Sequence, residues 1–382
     1  MSKKDSSYFG LGKTSIYRSL RLFKHIDYTL IFAVLCLCFL GLIIIYSTTS
    51  VQITDAGTSS YVKRQLIYIL TGLFLSLIIA VTDYHVIEKI ATPVYILAIV
   101  SLIYVILFGR ETGGARRWIV FAGSDFQPTE FSKIALIFFL STFLSKQKDK
   151  LPYSIYFIFP FIFTGILMLL IFRQPDLGSS MVFFAILLCM IFVAGIKWKH
   201  IMIMFLISLA SFPILWSFLK DYQKNRIILF INPNLDPLGA GYNVIQSKVA
   251  IGSGGLFGQG LFSGIQSQLK FLPAQHTDFV FSVIGEEMGF FGAVLLLSLF
   301  AFVLWKGIKI AQESADLLGT FLSIGVVSFL FFHILINVGM TMGLMPATGL
   351  PLSFISYGGT FMISNFIGIG ILLNVHIRSL FI

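Results

Sequence analysis

Charged residues are scarce in this chain of 382 residues, since Asp, Glu, Lys and Arg together make up only 12%. Hydrophobic residues make up 57%, including 41 Phe, which is more apolar surface than a soluble domain of this length can bury. The scarcity of charge therefore excludes a water-soluble globular protein. The apolar surface requires a lipid bilayer as its solvent.

Cysteine is also nearly absent, with only Cys36, Cys38 and Cys189, all inside apolar segments. This excludes a disulfide framework, and no Cys and His spacing is typical of a structural metal site. Acidic residues number 17 against 27 Lys and Arg, which gives a net charge of +10. Much of that excess lies in short loops between apolar segments, so it does not predict a nucleic-acid partner.

Long apolar segments begin behind a basic, Ser-rich leader, and no small-residue cleavage site follows the first segment before Asp55. We therefore predict an uncleaved span, with residues 1–27 as a cytoplasmic leader and residues 28–382 as a single membrane domain. A span needs roughly 20 apolar residues. The predicted fold class is an all-α polytopic membrane protein with ten transmembrane helices: Tyr28–Tyr46, Gln65–Val81, Ile90–Phe108, Thr129–Leu144, Ile155–Phe172, Leu177–Ile196, Ile201–Leu219, Phe279–Trp305, Leu317–Thr341 and Phe361–Val375.

Lys and Arg in short loops indicate the orientation, because such loops stay in the cytoplasm. The leader carries several of these residues, and later short loops carry them at 146–150, 197–199 and 306–309. With ten spans, all these segments fall on one side. We therefore predict a multi-pass protein of the cytoplasmic (inner) membrane with both termini in the cytoplasm.

Three segments predicted to lie outside the cytoplasm are polar and rich in Gly or Pro: residues 109–130, 172–180 and 220–277. The third is a long loop between spans seven and eight, in which Tyr242–Ile251 predicts a short interfacial or re-entrant helix that breaks at Gly252–Gly255. A fourth outward loop, 343–356, lies in a stretch without charge and should fold back into protein or lipid. No internal repeat supports an inverted-repeat transporter.

Asp278 is the leading candidate for chemistry, because residues 272–278 lead from the long loop directly into the eighth span. This places a carboxylate at the membrane surface. In the alternative interpretation, Thr277 caps the helix and Asp278 complements its positive end, which contributes roughly 0.3–1 kcal/mol. The residues alone leave both interpretations open.

Glu286 and Glu287 follow inside the same span, and an acid within a membrane span is a functional candidate by default. The alternative is a hydrogen bond to a neighbouring helix, which we favour for at least one of the two.

Arg116, Arg117 and Trp118 lie on the first outward loop, close in sequence to Glu130 and Lys133 at the start of the fourth span. Because Lys133 is one turn beyond Glu130, an i,i+3 ion pair is one interpretation. These cations, however, lie on the side that the charge rule disfavours. We therefore predict a phosphate clamp, which Arg grips through two hydrogen bonds and Lys through its charge.

Asp176 lies at the start of the sixth span, in the sequence RQPDLG at 173–178. Local rules predict that it caps the helix, and it could also brace Arg117 or Lys133. His276 is a candidate ligand or proton carrier, although a histidine beside a loop is more often a surface residue. The other five histidines form no recognisable cluster in the sequence.

These motifs resemble the SEDS (shape, elongation, division and sporulation) family, and the similarity covers the whole chain except the leader. The longest match is GYNVIQSKVAIGSGGLFG at 241–258, followed by QSQLKFLP at 266–273 and HTDF at 276–279. The other matches are QPTEFSK (127–133), QPDLG (174–178) and FISYGGT (354–360). Lys248 and the QSQL run resemble the elongation branch more than the division branch. Thr129, Ala274 and Ser353 stand where the family usually has Ser, Glu and Pro.

The resemblance implies a glycosyltransferase that polymerises lipid II into peptidoglycan glycan strands at the outer face of the cytoplasmic membrane during cell elongation, releasing undecaprenyl pyrophosphate. It implies that Asp278 is the essential catalytic carboxylate and that Trp118, Glu130, Lys133 and Asp176 hold functional positions. The predicted substrate- and pyrophosphate-binding residues are Arg116, Arg117, Trp118, Lys133 and Lys248. The predicted supporting residues are Glu130, Asp176, His276, Glu286, Ser356, Tyr357 and Gly358.

The resemblance also implies partners: a class B penicillin-binding protein that crosslinks the strand, and other membrane proteins of the elongation complex. Because pyrophosphate leaves readily, the reaction needs one base on the acceptor hydroxyl and positive charge near the leaving group. We expect no tightly bound cofactor, but the sequence does not separate a base role of Asp278 from the holding of a divalent cation such as Mg²⁺ or Mn²⁺. A lipid II flippase and a non-catalytic scaffold of the wall-synthesis complex stay open as alternatives.

Overall fold

The computed structural model describes residues 25–50, 55–112, 115–121, 124–147, 154–196, 221–237, 239, 241–269 and 271–380, with isolated residues between 199 and 217. The described chain is mostly helical. Its elements are α1 (Tyr28–Ser50), α2 (Asp55–Val81), α3 (His85–Phe108), β1 (Arg110–Thr112), β2 (Ala115–Phe121), β3 (Ser124–Phe126), α4 (Pro128–Gln147), α5 (Ser154–Arg173), α6 (Leu177–Val193), α7 (Asp221–Ile231), a 3₁₀ turn (Pro233–Leu235), α8 (Tyr242–Ser253), α9 (Ile265–Gln268), α10 (Val280–Gln312), α11 (Leu317–Thr341) and α12 (Gly359–Ser379).

Six helices of the described chain are long and apolar enough to cross a membrane: α1, α2, α3, α10, α11 and α12. The helices α4, α5 and α6 coincide with the predicted fourth, fifth and sixth spans. Residues 1–24 of the predicted leader and nearly all of the predicted seventh span, residues 201–219, lie outside the described residues. The architecture is that of a polytopic all-α membrane protein.

Several helices extend beyond the apolar segments that predicted them. The helix α2 begins at Asp55 rather than Gln65, and α10 continues to Gln312 rather than ending at Trp305. An apolar segment marks only the part of a helix that lies in hydrocarbon, and its polar ends continue the same backbone hydrogen bonding into water.

The centre of the molecule is formed by α11 and α12. In the most apolar stretch of each helix, 83% of the residues of α12 and 72% of those of α11 are buried. The same share is 28% in α2, α3 and α10. The helix α12 packs chiefly against α2, and small residues bring the two backbones close together. A Cβ at Gly72 would lie 2.5 Å from the Phe366 ring, and one at Gly370 would lie 2.8 Å from the Ser76 carbonyl oxygen.

The loop between α3 and α4, which was predicted to lie outside the cytoplasm, contains an antiparallel sheet of three strands in the order β1-β2-β3. The sequence analysis did not predict this sheet. Successive side chains of a strand point to opposite faces. Arg116 and Arg117 are neighbours on β2, so only one of them can face the protein interior. Arg116 is exposed, whereas Arg117 is partly buried.

The predicted helix at Tyr242–Ile251 is present as α8, which ends at Ser253 where the predicted glycine break begins. Residues 254–260 then pack against an interruption in α10, where Gly289 has φ of 65°. There the N–H of Phe290 donates to the Gly255 carbonyl at 2.9 Å, and the N–H of Gln259 donates to the Glu286 carbonyl at 2.9 Å. The loop thus satisfies backbone groups that the interruption releases.

The charge-free loop at 343–356 folds back into the protein, as predicted. Thr348, Leu350 and residues 352–356 are buried, and a Cβ at Gly41 of α1 would lie 2.9 Å from Ile355. This loop forms one wall of the candidate site.

Candidate active site

Four helices, α4, α6, α10 and α12, begin around one cavity of about 260 Å³. The first turn of a helix presents unpaired N–H groups and a partial positive charge, which favours bound anions. The cavity is lined by Arg117, Trp118, Gln127, Glu130, Asp176, Ser179, Thr277, Asp278, Gly349, Leu350, Pro351, Tyr357, Gly358, Thr360 and Phe361. Seven predicted site residues are therefore brought together.

Asp278 lies on the cavity wall just before α10. Its N–H donates to the Ala274 carbonyl at 3.0 Å, and its carbonyl accepts from the Asn337 side chain at 2.8 Å. The interpretation of Thr277 as a helix cap is wrong: Phe279 is at the cap position, where no side-chain hydrogen bond caps the helix, and the Thr277 hydroxyl donates to the Ala274 carbonyl at 3.2 Å.

The electrostatic surroundings of Asp278 suit a base. Burial raises the pKa of its carboxyl group to about 6, and the charges of Arg226 and Arg117 oppose the rise. The group is therefore mostly ionised at neutral pH, yet basic enough to take a proton.

Arg117 of β2 reaches the cavity beside Trp118. Its Nε donates to the Gln174 carbonyl at 3.0 Å, and its Nη2 donates to the Pro175 carbonyl. A nitrogen of the same guanidinium lies 4.0 Å from Asp176. These contacts fix the guanidinium in the cavity wall. Arg116 lies elsewhere, exposed and 3.6 Å from Glu111.

Asp176 caps α6, as predicted, by accepting the Ser179 N–H at 3.1 Å and the Ser179 hydroxyl at 3.0 Å. It also lines the cavity beside Arg117, in agreement with the predicted bracing role toward that residue.

Lys133 lies behind the cavity wall and is fully buried. Its ammonium group donates to Glu130 at 2.8 Å and lies 2.9 Å from Nε2 of His333. The i,i+3 ion pair is thus present, and the predicted contact between Lys133 and phosphate has no direct path in this structure. His333, which the sequence analysis placed in no cluster, thus joins Lys133 and Glu130. Its other ring nitrogen, Nδ1, lies 3.1 Å from the Pro351 carbonyl oxygen.

Four other predicted residues do not line the cavity. Lys248 is exposed on α8, where its side chain passes close to Gly343. Glu286 is buried and accepts the backbone N–H groups of Gln266 and Ser267 at 2.6 and 3.1 Å, which fits the structural interpretation. Ser356 and His276 are close to the cavity without lining it.

Ser356 supports the cavity wall from behind. Its hydroxyl donates to the Thr277 carbonyl at 2.5 Å and accepts the Leu352 N–H at 2.8 Å. The N–H of Tyr357 donates to the His276 carbonyl at 2.9 Å, and the N–H of Gly358 reaches the Gln65 side chain at 3.3 Å. These bonds tie the start of α12 to the segment that carries Asp278.

Glu287, the second acid of the eighth span, is fully buried and accepts a hydrogen bond from Ser47 of α1. This is the bond to a neighbouring helix that the sequence analysis favoured for at least one of the two acids.

Arg226 is a functional candidate that the sequence analysis missed. This residue of α7 donates to the Thr348 carbonyl at 3.2 Å, and its charge acts on Asp278. The signal that drew attention to Arg117, a cation on the disfavoured side of the membrane, was equally available for Arg226.

Within the described residues, no three His, Cys, Asp or Glu side chains converge on a metal position. Of the acids around the cavity, Asp176 caps a helix and Glu130 pairs with Lys133. Asp278 is the carboxylate best placed to act on a ligand in the cavity.

The fold and the site define a class: a polytopic membrane protein with a carboxylate and an arginine in a cavity at one end of its helices. The chain belongs to the FtsW/RodA/SpoVE family, described as cell cycle proteins, whose model matches residues 28–380.

Named relatives and solved structures agree with this membership. The chain is 37% identical over 360 residues to peptidoglycan glycosyltransferase MrdB of Escherichia coli K12, covering 92% of this chain and 94% of the relative. It resembles a chain of a peptidoglycan synthase complex that coordinates polymerization and crosslinking, with a TM-score of 0.80, 29% identity and coverage of 93% and 98%. It also resembles the rod shape determining protein RodA of Thermus thermophilus, with a TM-score of 0.67, 28% identity and coverage of 92% and 96%.

Proposed function

We propose that the protein is a peptidoglycan glycosyltransferase that polymerises lipid II into glycan strands and releases undecaprenyl pyrophosphate. The observation that carries the proposal is the cavity in which Asp278 lies with Arg117 and four helix N-termini, while the charge of Arg226 also acts on Asp278. This combination of one base and several positive groups is what transfer from a diphosphate-linked sugar requires. Relatives named peptidoglycan glycosyltransferases support the same conclusion.

In the proposed reaction, Asp278 takes the proton of the 4-hydroxyl of an acceptor GlcNAc. The acceptor oxygen attacks the anomeric carbon of a lipid-linked MurNAc, and the bond from that carbon to the diphosphate oxygen breaks. Arg117, Arg226 and the helix N-termini stabilise the charge that develops on the leaving diphosphate. Attack opposite the leaving group converts the α-linked donor into a β-linked product.

A divalent cation, if one binds, would be held by Asp278, since Asp176 caps a helix and one oxygen of Glu130 pairs with Lys133. Such an ion would supply further positive charge to the leaving group.

The lipid tail of the substrate must stay in the bilayer while its sugars react at the surface. An apolar groove of about 720 Å³ runs along α3, α4 and α12. The groove begins at Tyr84, at the opposite end of the helices from the cavity, and ends at Phe126, Pro128 and Phe131. These three residues are close in sequence to the cavity residues Gln127 and Glu130. We propose that this groove holds part of the polyprenyl chain.

The helix directions support ten membrane crossings with a long extracytoplasmic loop at 220–277. The helices α6 and α10 both begin at the cavity, so the chain must return across the membrane between Val193 and Val280. The opposite end carries the ion pairs Lys306–Asp27 at 2.8 Å and Lys146–Glu88 at 2.7 Å. We propose that this Lys-rich end faces the cytoplasm with both termini, and that the cavity opens outward.

A class B penicillin-binding protein is the proposed partner, because a peptidoglycan synthase complex that couples polymerization to crosslinking contains a chain of this fold. Family membership spans FtsW, RodA and SpoVE and does not choose a cellular role. We propose a role in cell elongation from the QSQL run and Lys248, with support from the likeness to RodA.

The decisive experiment incubates purified protein with lipid II, without ATP, and separates the products on a gel. We expect glycan polymer from the wild-type protein and none from Asp278→Asn, which is neutral but nearly the same shape. Asp125→Asn makes the same change at an exposed acid of β3 and should polymerise normally. Polymer formation by Asp278→Asn would refute the catalytic assignment, and transbilayer movement of lipid II without polymer would favour the flippase.

A further inference from the structure

A second, smaller depression adjoins the active-site cavity on the far side of Tyr357. It has a volume of about 180 Å³ and is lined by Thr48 and Thr49 of α1, Tyr61 of α2 and residues 272–276. The described residues that line it include no Asp, Glu, Lys or Arg. These neutral lining residues suit a neutral ligand such as a sugar ring.

Three aromatic rings stand at the boundary between the depression and the cavity. The ring of Tyr61 lies 5.5 Å from that of His276 and 5.1 Å from that of Tyr357, and the last two rings are 6.0 Å apart. Burial lowers the pKa of His276, so its ring is neutral at neutral pH. The negative face of an aromatic ring attracts the positively polarised C–H groups of a sugar ring, which are apolar enough to pack against it.

The depression also offers one unsatisfied polar group. Gln275 is only 7% exposed, and its Nε2 donates to the Thr48 carbonyl at 3.1 Å. Its Oε1 has no hydrogen-bond partner among the described residues. A buried acceptor without a partner costs about 1–3 kcal/mol. A turn of the Gln275 amide toward the depression would let a hydroxyl or an N-acetyl N–H group of a bound sugar satisfy it, and few polar groups beside an apolar wall are typical of a small-ligand site.

One short segment serves both the depression and the cavity. Gln275 and His276 line the depression, whereas Thr277 and Asp278 line the cavity. Tyr357, which lines the cavity, is tied to the His276 carbonyl through its N–H at 2.9 Å. A sugar ring in the depression would thus lie next to the ring that reacts.

We propose that this depression is a saccharide subsite, which holds one N-acetylhexosamine ring of the glycan beside the reacting sugar. The subsite rests on the proposed glycosyltransferase function and extends it to the holding of the polymer. Because Tyr61 packs against the sugar without taking part in the chemistry, its loss weakens retention of the strand and leaves the first coupling possible.

The test measures binding of a lipid-free GlcNAc–MurNAc tetrasaccharide to Tyr61→Leu and Gln275→Leu in an Asp278→Asn background, where no reaction occurs. We expect each substitution to weaken binding about tenfold, as the loss of a ring contact or a buried hydrogen bond would. Tyr61→Phe keeps the ring and should bind normally. Tyr104→Leu makes the same change on the exposed face of α3 and serves as the control.

The second measurement compares glycan lengths with Asp278 intact. Shorter chains from Tyr61→Leu, with dimer still formed, would support the subsite. The subsite would be overturned if both Leu variants bound the tetrasaccharide normally and made glycan of normal length. The proposed function would still stand in that case, provided that the wild-type protein polymerises lipid II. Failure of the wild-type protein to polymerise would instead refute the proposed function. If Tyr61→Leu melts at a lower temperature than Tyr104→Leu, its weaker binding could come from a packing defect. The binding and chain length measured for Gln275→Leu then decide whether the subsite exists.

Discussion

The carboxylate of Asp278 combines two properties that oppose each other. It must be buried enough to hold a proton, and it must be ionised when the acceptor arrives. Burial raises its pKa to about 6, and the charges of Arg226 and Arg117 limit the rise. A diphosphate brought into the cavity adds negative charge, which would raise this pKa further and strengthen the base as the substrate binds.

Polymerisation should therefore depend on pH through Asp278. The ionised form is the active base, so kcat/KM should be constant above about pH 6 and fall about tenfold for each pH unit below it. Initial rates of lipid II consumption between pH 4.5 and 8 would measure this profile. A rate that stays constant down to pH 4.5 would contradict a base with this pKa, and Asp125→Asn should keep the wild-type profile.

Lys133 acts on the cavity through Glu130, and His333 holds Lys133 from the other side. Nδ1 of His333 faces the Pro351 carbonyl, so this nitrogen carries the proton and Nε2 accepts from Lys133. The other oxygen of Glu130, Oε2, has no partner among the described residues although Glu130 lines the cavity. We infer that the Lys133–His333 contact orients Glu130 toward the substrate.

His333→Leu should leave a buried N–H of Lys133 unpaired, which costs about 1–3 kcal/mol. We expect a lower melting temperature and slower polymerisation. His333→Gln supplies a carbonyl oxygen that can accept from Lys133, and it should recover most of both. Equal loss of activity in the Leu and Gln variants, with equal melting temperatures, would show that the hydrogen bond to Lys133 is not the reason for the defect.

At the residue level, sequence reasoning found the groups whose chemistry is visible locally. Asp278 was predicted because its motif leads from a polar loop into a span, and Asp176 because its place at a helix start is a local property. The His333–Lys133 contact joins residues 200 positions apart, so no local pattern could reveal it. The burial of Lys133 likewise depends on how α4 and α11 pack.

The interruption of α10 is the main departure from regular structure among the described helices. Gly289 has φ of 65° and ψ of −160°, and a Cβ there would lie 2.3 Å from the backbone nitrogen of Gly258. Both the backbone angle and the close approach require glycine. Because Asp278 stands just before α10, the packing of residues 254–260 against this interruption helps to fix the position of the segment that carries Asp278.

Gly289→Ala should destabilise the protein by about 1–3 kcal/mol through backbone strain, with a further cost from displacement of the Gly258 backbone. Its melting temperature and its polymerisation rate should both fall. Gly165→Ala in α5 makes the same change where nothing lies within 4 Å of the new methyl group. This control should be neutral or slightly stabilising, because alanine is the better helix former. Similar melting temperatures for the two variants would contradict the assigned role of Gly289.

The elements differ in how well periodicity and composition predict them. The helix α8 was predicted because turn residues bound it on both sides, whereas the sheet at β1, β2 and β3 was not. Its outer strands have only three residues each, too few for an alternating pattern to emerge. The sheet matters for the site, since the alternation of β2 separates Arg117 from Arg116.

On the scale of the whole molecule, the groove along α3, α4 and α12 ends at Phe126 and Pro128, on either side of the cavity residue Gln127. A second groove, of about 670 Å³, lies on another face among α6, α10 and α11 and is equally apolar, but Phe126, Pro128 and the residues of the cavity do not line it. The first groove ends next to the cavity that contains Asp278, and the second groove does not. Only the first is positioned to deliver a tethered sugar.

Val94→Trp should place bulk in the first groove and obstruct the polyprenyl chain. We expect KM for lipid II with a full undecaprenyl tail to rise about tenfold, which corresponds to about 1.4 kcal/mol of lost binding. The KM for a short-chain lipid II analogue should stay unchanged, because a short tail does not fill the groove. Val193→Trp makes the identical substitution in the second groove and should leave both KM values unaltered.

The dependence on tail length separates obstruction of the groove from a general packing defect. A distorted fold would impair the long and the short substrate alike, whereas a blocked groove penalises only the chain that must lie in it. If Val94→Trp raised KM equally for both substrates, the tail would have to lie elsewhere. If Val193→Trp instead gave the dependence on tail length, the lipid would approach the cavity past α6, α10 and α11, and the route along α3 and α4 would be excluded.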